Sequence, residues 1–541
     1  MNKLFSIILI SIIFNAFGQH QDFTEQDTLR GSITPQRAWW DVDFYHLKIE
    51  VKPDKKYISG SNIIRYTVLN ESQELQIDLQ APLVIEKVLQ EGKRLKVRTN
   101  GSAHFIKLKK KQRKGDTNEL VVHYSGHPKE AINAPWDGGF SWKKDANGKP
   151  FVATSCQGIG ASVWWPNKDH MYDEVDSMAI SVTVPKGLMD ISNGRLKKVE
   201  NHTETTTYHW VVENPINNYG VNANIGDYVH FGETYNGEKG ELSMDYYVLE
   251  GNLEKAKKQF QQAPMMMEAF EYWFGPYPFY KDGYKLVEVP YLGMEHQSSV
   301  TYGNGFENGY LGRDLSGTGW GLKFDFILVH ESGHEWFANN ITYKDVADMW
   351  IHESFTGYSE SLYLDYHFGK KAAAEYVIGT RANIKNDIPI IGTYNVNKEG
   401  SGDMYYKGAN MVHTLRQLLE DDEKWRSILR GLNTEFYHQT VTTAQIENYI
   451  SEHSGIDLTA FFDQYLRTTQ IPMLQYDVDN NKIRFRYTDI VDGFDMPLKI
   501  VMDTMEEWIF PTREWKTKSF NTTIKTIEVD ENFFVKSTKI E

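Results

Sequence analysis

The sequence predicts a multidomain α+β protein. Apolar and polar residues alternate from about Trp39 to about residue 235, the apolar period lengthens to a helical one until about 470, and alternation then returns. With 541 residues, 40% hydrophobic and 13% aromatic, the chain can bury several cores. The expected parts are an export signal at 1–18, an N-terminal β domain at 19–235, a mainly helical domain at 236–470 and a C-terminal β module at 471–541.

At the start of the chain, Lys3 supplies positive charge, Leu4 to Phe14 form an apolar run, and Ala16-Phe17-Gly18 offers small residues before a cut. The run falls short of the roughly 20 apolar residues that span a bilayer. A mature chain starting near Gln19 is therefore expected, exported to a periplasm or the exterior and without a membrane span. Cys156 is the single cysteine, so neither an intrachain disulfide nor a thiolate metal site can form. The net charge of -15 argues against a nucleic-acid partner, which needs a clustered basic face.

In the first β region Leu47, Ile49 and Val51 alternate with His46, Lys48 and Glu50, and Ile64, Tyr66 and Val68 follow a Pro53-Asp54 turn. Leu75, Ile77 and Leu79 repeat the pattern. Helices begin after Gly251: Asn252 is the expected N-cap of a helix through Phe260, and an apolar run from Met265 to Phe274 stops at Gly275-Pro276. Thr442 and Gln445 form a capping box ahead of Ile446, Tyr449 and Ile450, with a stop at Gly455. In the last part Leu474, Tyr476 and Val478 pair across an Asp479-Asn480-Asn481 turn with Ile483, Phe485 and Tyr487.

The chemistry lies in Val329-His330-Glu331-Ser332-Gly333-His334-Glu335-Trp336. Histidines at i and i+4 project from one helix face and preplace two zinc ligands. Glu331, beside the first of them, is placed as a general base for an attacking water. Phe326 to Val329, Trp336 and Phe337 make the segment apolar and hence buried, and a buried charged turn needs a partner. Metzincins require Gly at 337 and His at 340, where this chain has Phe337 and Asn340. The third ligand is instead expected to be Glu353, eighteen residues beyond His334 in Trp350-Ile351-His352-Glu353, on a second buried helix ending near Gly369. Two imidazoles, one carboxylate and an open position suit one catalytic zinc ion. Glu360, two turns past Glu353, can orient a ligating histidine from behind.

These residues resemble the zinc aminopeptidase family of aminopeptidase N and the leukotriene epoxide hydrolase, gluzincin metallopeptidases, over roughly residues 40 to 470. Besides the histidine motif, the resemblance rests on Leu292-Gly293-Met294-Glu295-His296 and on Tyr405-Tyr406-Lys407-Gly408. It implies a saddle-like N-terminal β domain and a thermolysin-like catalytic domain. It also implies that Glu295, with Gly293 and Met294, belongs to the exopeptidase motif GAMEN, whose glutamate binds the substrate's free amine. Tyr405 matches the tyrosine that donates to the oxyanion, a role suited to a neutral, fixed phenol. Gln157, in Ser155-Cys156-Gln157-Gly158, matches a glutamine that helps hold the amine. The sequence departs from the motif at Leu292-Gly293 and His296. Where the family often has a large C-terminal helical domain, this chain offers only the β module, which implies either an open cleft or a lid from another subunit.

The expected function is an exported zinc metallo-aminopeptidase acting on peptides with a free N-terminus. The alternatives are a zinc endopeptidase with the same metal triad and a non-catalytic binding protein on this fold; an intact Glu331 and Tyr405 argue against the latter.

Overall fold

The structure, a computed structural model, describes residues 23–503 and 505–540. The export signal expected at 1–18 lies outside the described residues.

The strand Trp40–Lys52 runs through the middle of an eight-stranded sheet. It pairs antiparallel with Tyr57–Val68 and parallel with Ser177–Pro185. Its alternation is physical: Tyr45, Leu47, Ile49 and Val51 are buried, and His46, Lys48 and Glu50 stand on the opposite face. A three-stranded sheet, Ser72–Asp78, Ala103–Gln112 and Lys96–Asn100, contributes Leu75, Ile77 and Ile106 to the same core. Four tryptophans, Trp40, Trp164, Trp165 and Trp210, fill that core, each contributing about 3 kcal/mol of burial. A four-stranded sheet carries Pro150–Ser155, whose end leads to Gln157.

The next unit starts with a hairpin, Tyr228–Gly237 and Gly240–Leu249. Its sheet continues through Tyr284–Glu288 and Val300–Tyr302 to an edge strand, Gly293–Met294. The expected boundary at 235 falls within the strand Tyr228–Gly237, which pairs forward into this sheet. Alternation alone does not reveal which sheet a strand joins. Val287, Val289, Tyr291 and Met294 turn back into the N-terminal core, so one edge of this sheet is part of the interdomain packing.

Helices cover the other side. Gln262–Phe274 buries Met266, Met267, Phe270 and Trp273 and ends at Gly275. Asn252 stands at the N-cap of Leu253–Gln259, but its side chain makes no capping bond. Its Nδ2 donates to Glu288 at 2.7 Å and ties the helix to the sheet instead. Thr442 and Gln445 do form a capping box on Thr443–Ser454, which Gly455 ends in the left-handed region.

Beyond Arg467 every assigned element among the described residues is a strand. The hairpin Met473–Asp479 and Lys482–Thr488 belongs to a four-stranded sheet, with a three-stranded sheet beside it. Leu474, Phe485, Leu498 and Ile500 merge with the helical core, and Tyr465 donates to the Phe534 carbonyl at 2.8 Å. This module is fastened to the helices and is not a separate appendage.

The helices Trp350–Phe368 and Tyr406–Leu419 touch almost backbone to backbone. A Cβ on Gly408 would stand 1.9 Å from Ser354 Oγ. Gly408→Ala is therefore expected to destabilise the protein by about 1–3 kcal/mol through overpacking. Denaturant unfolding checks this, and Ser354→Gly in the same chain should recover part of the loss.

Candidate functional site

The segment Phe326–Gly333 forms a helix capped by Asp325, whose carboxylate accepts from Leu328 N at 3.2 Å. Tyr302 donates to the same carboxylate at 2.6 Å, fixing the helix start against the strand Val300–Tyr302. Regular helix ends at Gly333, and the backbone bends out at Phe337 and Ala338. That bend returns the Phe337 carbonyl to His334, whose Nδ1 donates to it at 3.0 Å.

Facing it, the helix Trp350–Phe368 supplies Glu353 and Glu360. His330 Nδ1 donates to Glu360 Oε1 at 2.7 Å, and Tyr376 donates to Glu360 Oε2 at 2.5 Å. With both Nδ1 atoms engaged, the two Nε2 lone pairs are free to face Glu353. Glu353 Oε2 lies 3.8 Å from His330 Nε2 and 3.4 Å from His334 Nε2. Among the described residues this buried oxygen has no hydrogen-bond donor. An unpartnered oxygen between two imidazole nitrogens fits a cation with one carboxylate and two nitrogen ligands. The ligand atoms of the three residues lie within 4.8 Å of one another.

Glu331 shares the pocket with Glu295 and Glu353. Burial, reinforced by the Glu295 charge and opposed by His330, pushes Glu331 up to about 7. Burial raises Glu295 as well, with His334 opposing and Glu353 adding to the rise. For Glu353, burial is outweighed by His334 and His330, which hold it well below the carboxylate range. Burial and the three carboxylates keep the Tyr405 phenol well above its ordinary value, hence neutral. Its ring lies 6.1 Å from that of His330.

Gln157 reaches in from the N-terminal domain. Its Nε2 donates to Glu295 Oε1 at 2.6 Å and to Glu353 Oε1 at 3.0 Å. The departure at Gly293 has a local cause: a Cβ there would stand 2.6 Å from Ile327 Cγ2 and 3.3 Å from Glu331 Cγ. Glycine lets the edge strand lie flat on the histidine helix. His296 is fully buried, with Nδ1 3.2 Å from Thr301 Oγ1, and burial lowers it to about 3. It packs beneath the strand and is not among the pocket-lining residues.

His330, Glu331, His334, Glu353, Gly293, Met294, Glu295, Gln157 and Tyr405 all line one pocket of about 420 Å³, and Glu360 lies behind His330. Sequence reasoning missed Tyr376 and Thr356, the latter 3.0 Å from His334 Nδ1. Thr356 follows Glu353 by three on one helix face, a usable signal. Tyr376 comes from the helix Lys370–Gly379 and has none.

Two family models match the chain. The Peptidase family M1 domain covers residues 258–465, and the Peptidase M1 N-terminal domain covers 42–219. Among curated relatives, the probable aminopeptidase 1 of Sulfurisphaera tokodaii is 20% identical over 90% of this chain and 62% of its own length. The leucyl aminopeptidase of Saccharolobus solfataricus is 20% identical over 65% of this chain and 46% of its own. The chain thus spans about half the length of such relatives. Among solved structures, an M1 zinc metallopeptidase from Deinococcus radiodurans superposes with a TM-score of 0.66 at 19% identity, covering 80% of this chain and 96% of that one.

The carboxylate behind His330 is expected to matter to the metal. Glu360→Gln should weaken divalent-metal affinity about ten- to hundredfold. Competition against a chromophoric chelator measures it; unchanged affinity would mean that His330 is oriented without Glu360.

Proposed function

This chain belongs to peptidase family M1, the family of aminopeptidase N, and on that premise we propose that it is an exported zinc aminopeptidase removing N-terminal residues from peptides. The observation that carries this reading is the juxtaposition of Glu295 and Gln157 with the ligand set: an amine-binding carboxylate 2.6 Å from the Gln157 amide, which also bonds Glu353. Export is supported by the Lys3 to Gly18 pattern. Among the described residues no helix is long and apolar enough to cross a membrane.

His330, His334 and Glu353 would hold the zinc ion, which would supply Lewis acidity to the scissile carbonyl and the attacking water. Glu331, raised toward neutrality by its buried setting, takes a proton from the attacking water and returns it to the leaving amine. Tyr405 donates its O–H to the developing oxyanion, and its neutrality keeps that proton available. Glu295 and Gln157 bind the substrate ammonium by charge-assisted hydrogen bonds. The unpaired edge of the strand Gly293–Met294 offers backbone groups to an extended peptide. Fixing the ammonium beside the metal limits cleavage to the first peptide bond. The Deinococcus radiodurans enzyme, in a mutant form, has been solved with a Tyr-Ser-Ala substrate, in keeping with short peptides.

Glu331→Gln is expected to retain one zinc per chain by elemental analysis while turnover falls about 10²–10⁴-fold; full activity would remove Glu331 from the role of base. Blocking the substrate amine separates the exopeptidase from an endopeptidase. An N-acetylated peptide should resist cleavage under conditions that trim its free counterpart, as read by mass spectrometry. Internal cuts at equal rates would establish the endopeptidase.

A further inference from the structure

The substrate's amine and its first side chain leave the same Cα, so that side chain must meet the walls around Gln157. Two rim loops flank this turn. On one side, Asn397 Nδ2 donates to the Gly158 carbonyl at 3.3 Å and brings Glu399 to the mouth. On the other, Gly138 packs on Ile159, and the loop before it carries Pro135 and Trp136 into the pocket lining. This loop is built: Asp137 accepts from Ile132 N at 2.7 Å and from Asn133 N at 3.0 Å. Yet Trp136 is 61% exposed, a large aromatic surface left uncovered at the entrance. Met294, Met349 and Met404, all buried, add apolar lining to the same pocket.

The pocket lining contains four carboxylates, Glu295, Glu331, Glu353 and Glu399, and neither lysine nor arginine. The first three serve amine, base and metal. Glu399 is exposed and has no ion pair or side-chain hydrogen bond among the described residues.

We infer that this rim selects an N-terminal arginine or lysine: Glu399 pairs with the cationic head, the Trp136 indole covers it, and the methionines take the aliphatic stem. The inference rests on the aminopeptidase reading and names its substrate class. A hydrophobic stem, an aromatic face and a lone carboxylate together match a long cationic side chain better than an aliphatic or acidic one.

The test compares kcat/KM for Arg-, Lys-, Leu- and Glu-aminoacyl fluorogenic substrates with the zinc-loaded full chain and its E399Q, E399K and W136A variants. Each variant is read as an Arg:Leu ratio, which does not depend on the folded fraction. The unsubstituted enzyme should prefer Arg and Lys. The ratio should fall about fivefold in E399Q and about two- to fivefold in W136A, move toward the Glu substrate in E399K, and shrink with added salt. A Leu preference in the unsubstituted enzyme, or a ratio indifferent to E399Q and E399K, overturns the rim assignment while leaving the aminopeptidase intact. If no aminoacyl substrate turns over, the aminopeptidase reading falls and this inference with it.

Discussion

The helix Trp350–Phe368 grips His330 at both ring nitrogens, and the rest of the site depends on that grip. Glu353 faces Nε2 at 3.8 Å and Glu360 holds Nδ1 at 2.7 Å. The two glutamates are seven residues apart, about two helical turns, so they share one helix face and their carboxylates can reach the two ring nitrogens. Slipping either helix by one residue would remove both contacts. The helices must therefore lock in one register, and the apolar side chains around them, Val329, Ile351, Phe355 and Leu362, are all buried in one cluster.

Burying this much charge is costly, which explains the pattern of satisfied and unsatisfied atoms. Glu360 has two donors and His334 Nδ1 has the Phe337 carbonyl, so the outer groups are neutralised or bonded. The unpartnered oxygen of Glu353 lies between the Nε2 atoms of His330 and His334, where a cation would compensate it. Tyr405 is set into the same arrangement by close helix contact: Ser354 Oγ donates to the Met404 carbonyl at 2.8 Å, and Gly408 leaves room for it. Gln157 arrives across the domain seam, so the Gln157–Glu295 end of the pocket exists only while the two domains are packed.

Much of this was legible in the sequence because it is periodic or local. Alternation marked the strands around Leu47 and Ile483, and the capping box at Thr442 and Gln445 formed as read. The histidine pair needs only helical spacing. Glu295, Gln157 and Tyr405 carry no local signal and were recognised only through resemblance. Asn252 stands at the N-cap as read, but its side chain bonds Glu288, a partner 36 residues away, in place of the helix backbone. The sheet that Tyr228–Gly237 joins was not legible, because a strand's alternation is the same in either sheet.

The sequence by itself placed His330, His334 and Glu331 together as a candidate zinc centre, since helix geometry converts spacing into shared faces, and pointed to Glu353 on a second helix as the third candidate ligand. It also determined the three-part order of β, helical and β regions. Only the tertiary structure decided that Tyr376 backs Glu360, that Gly293 must lack a Cβ beside Ile327, and that Trp136 and Glu399 line the same pocket. Those relations join residues from different elements, and sequence spacing has no way to encode contacts that exist only after the helices and sheets have packed.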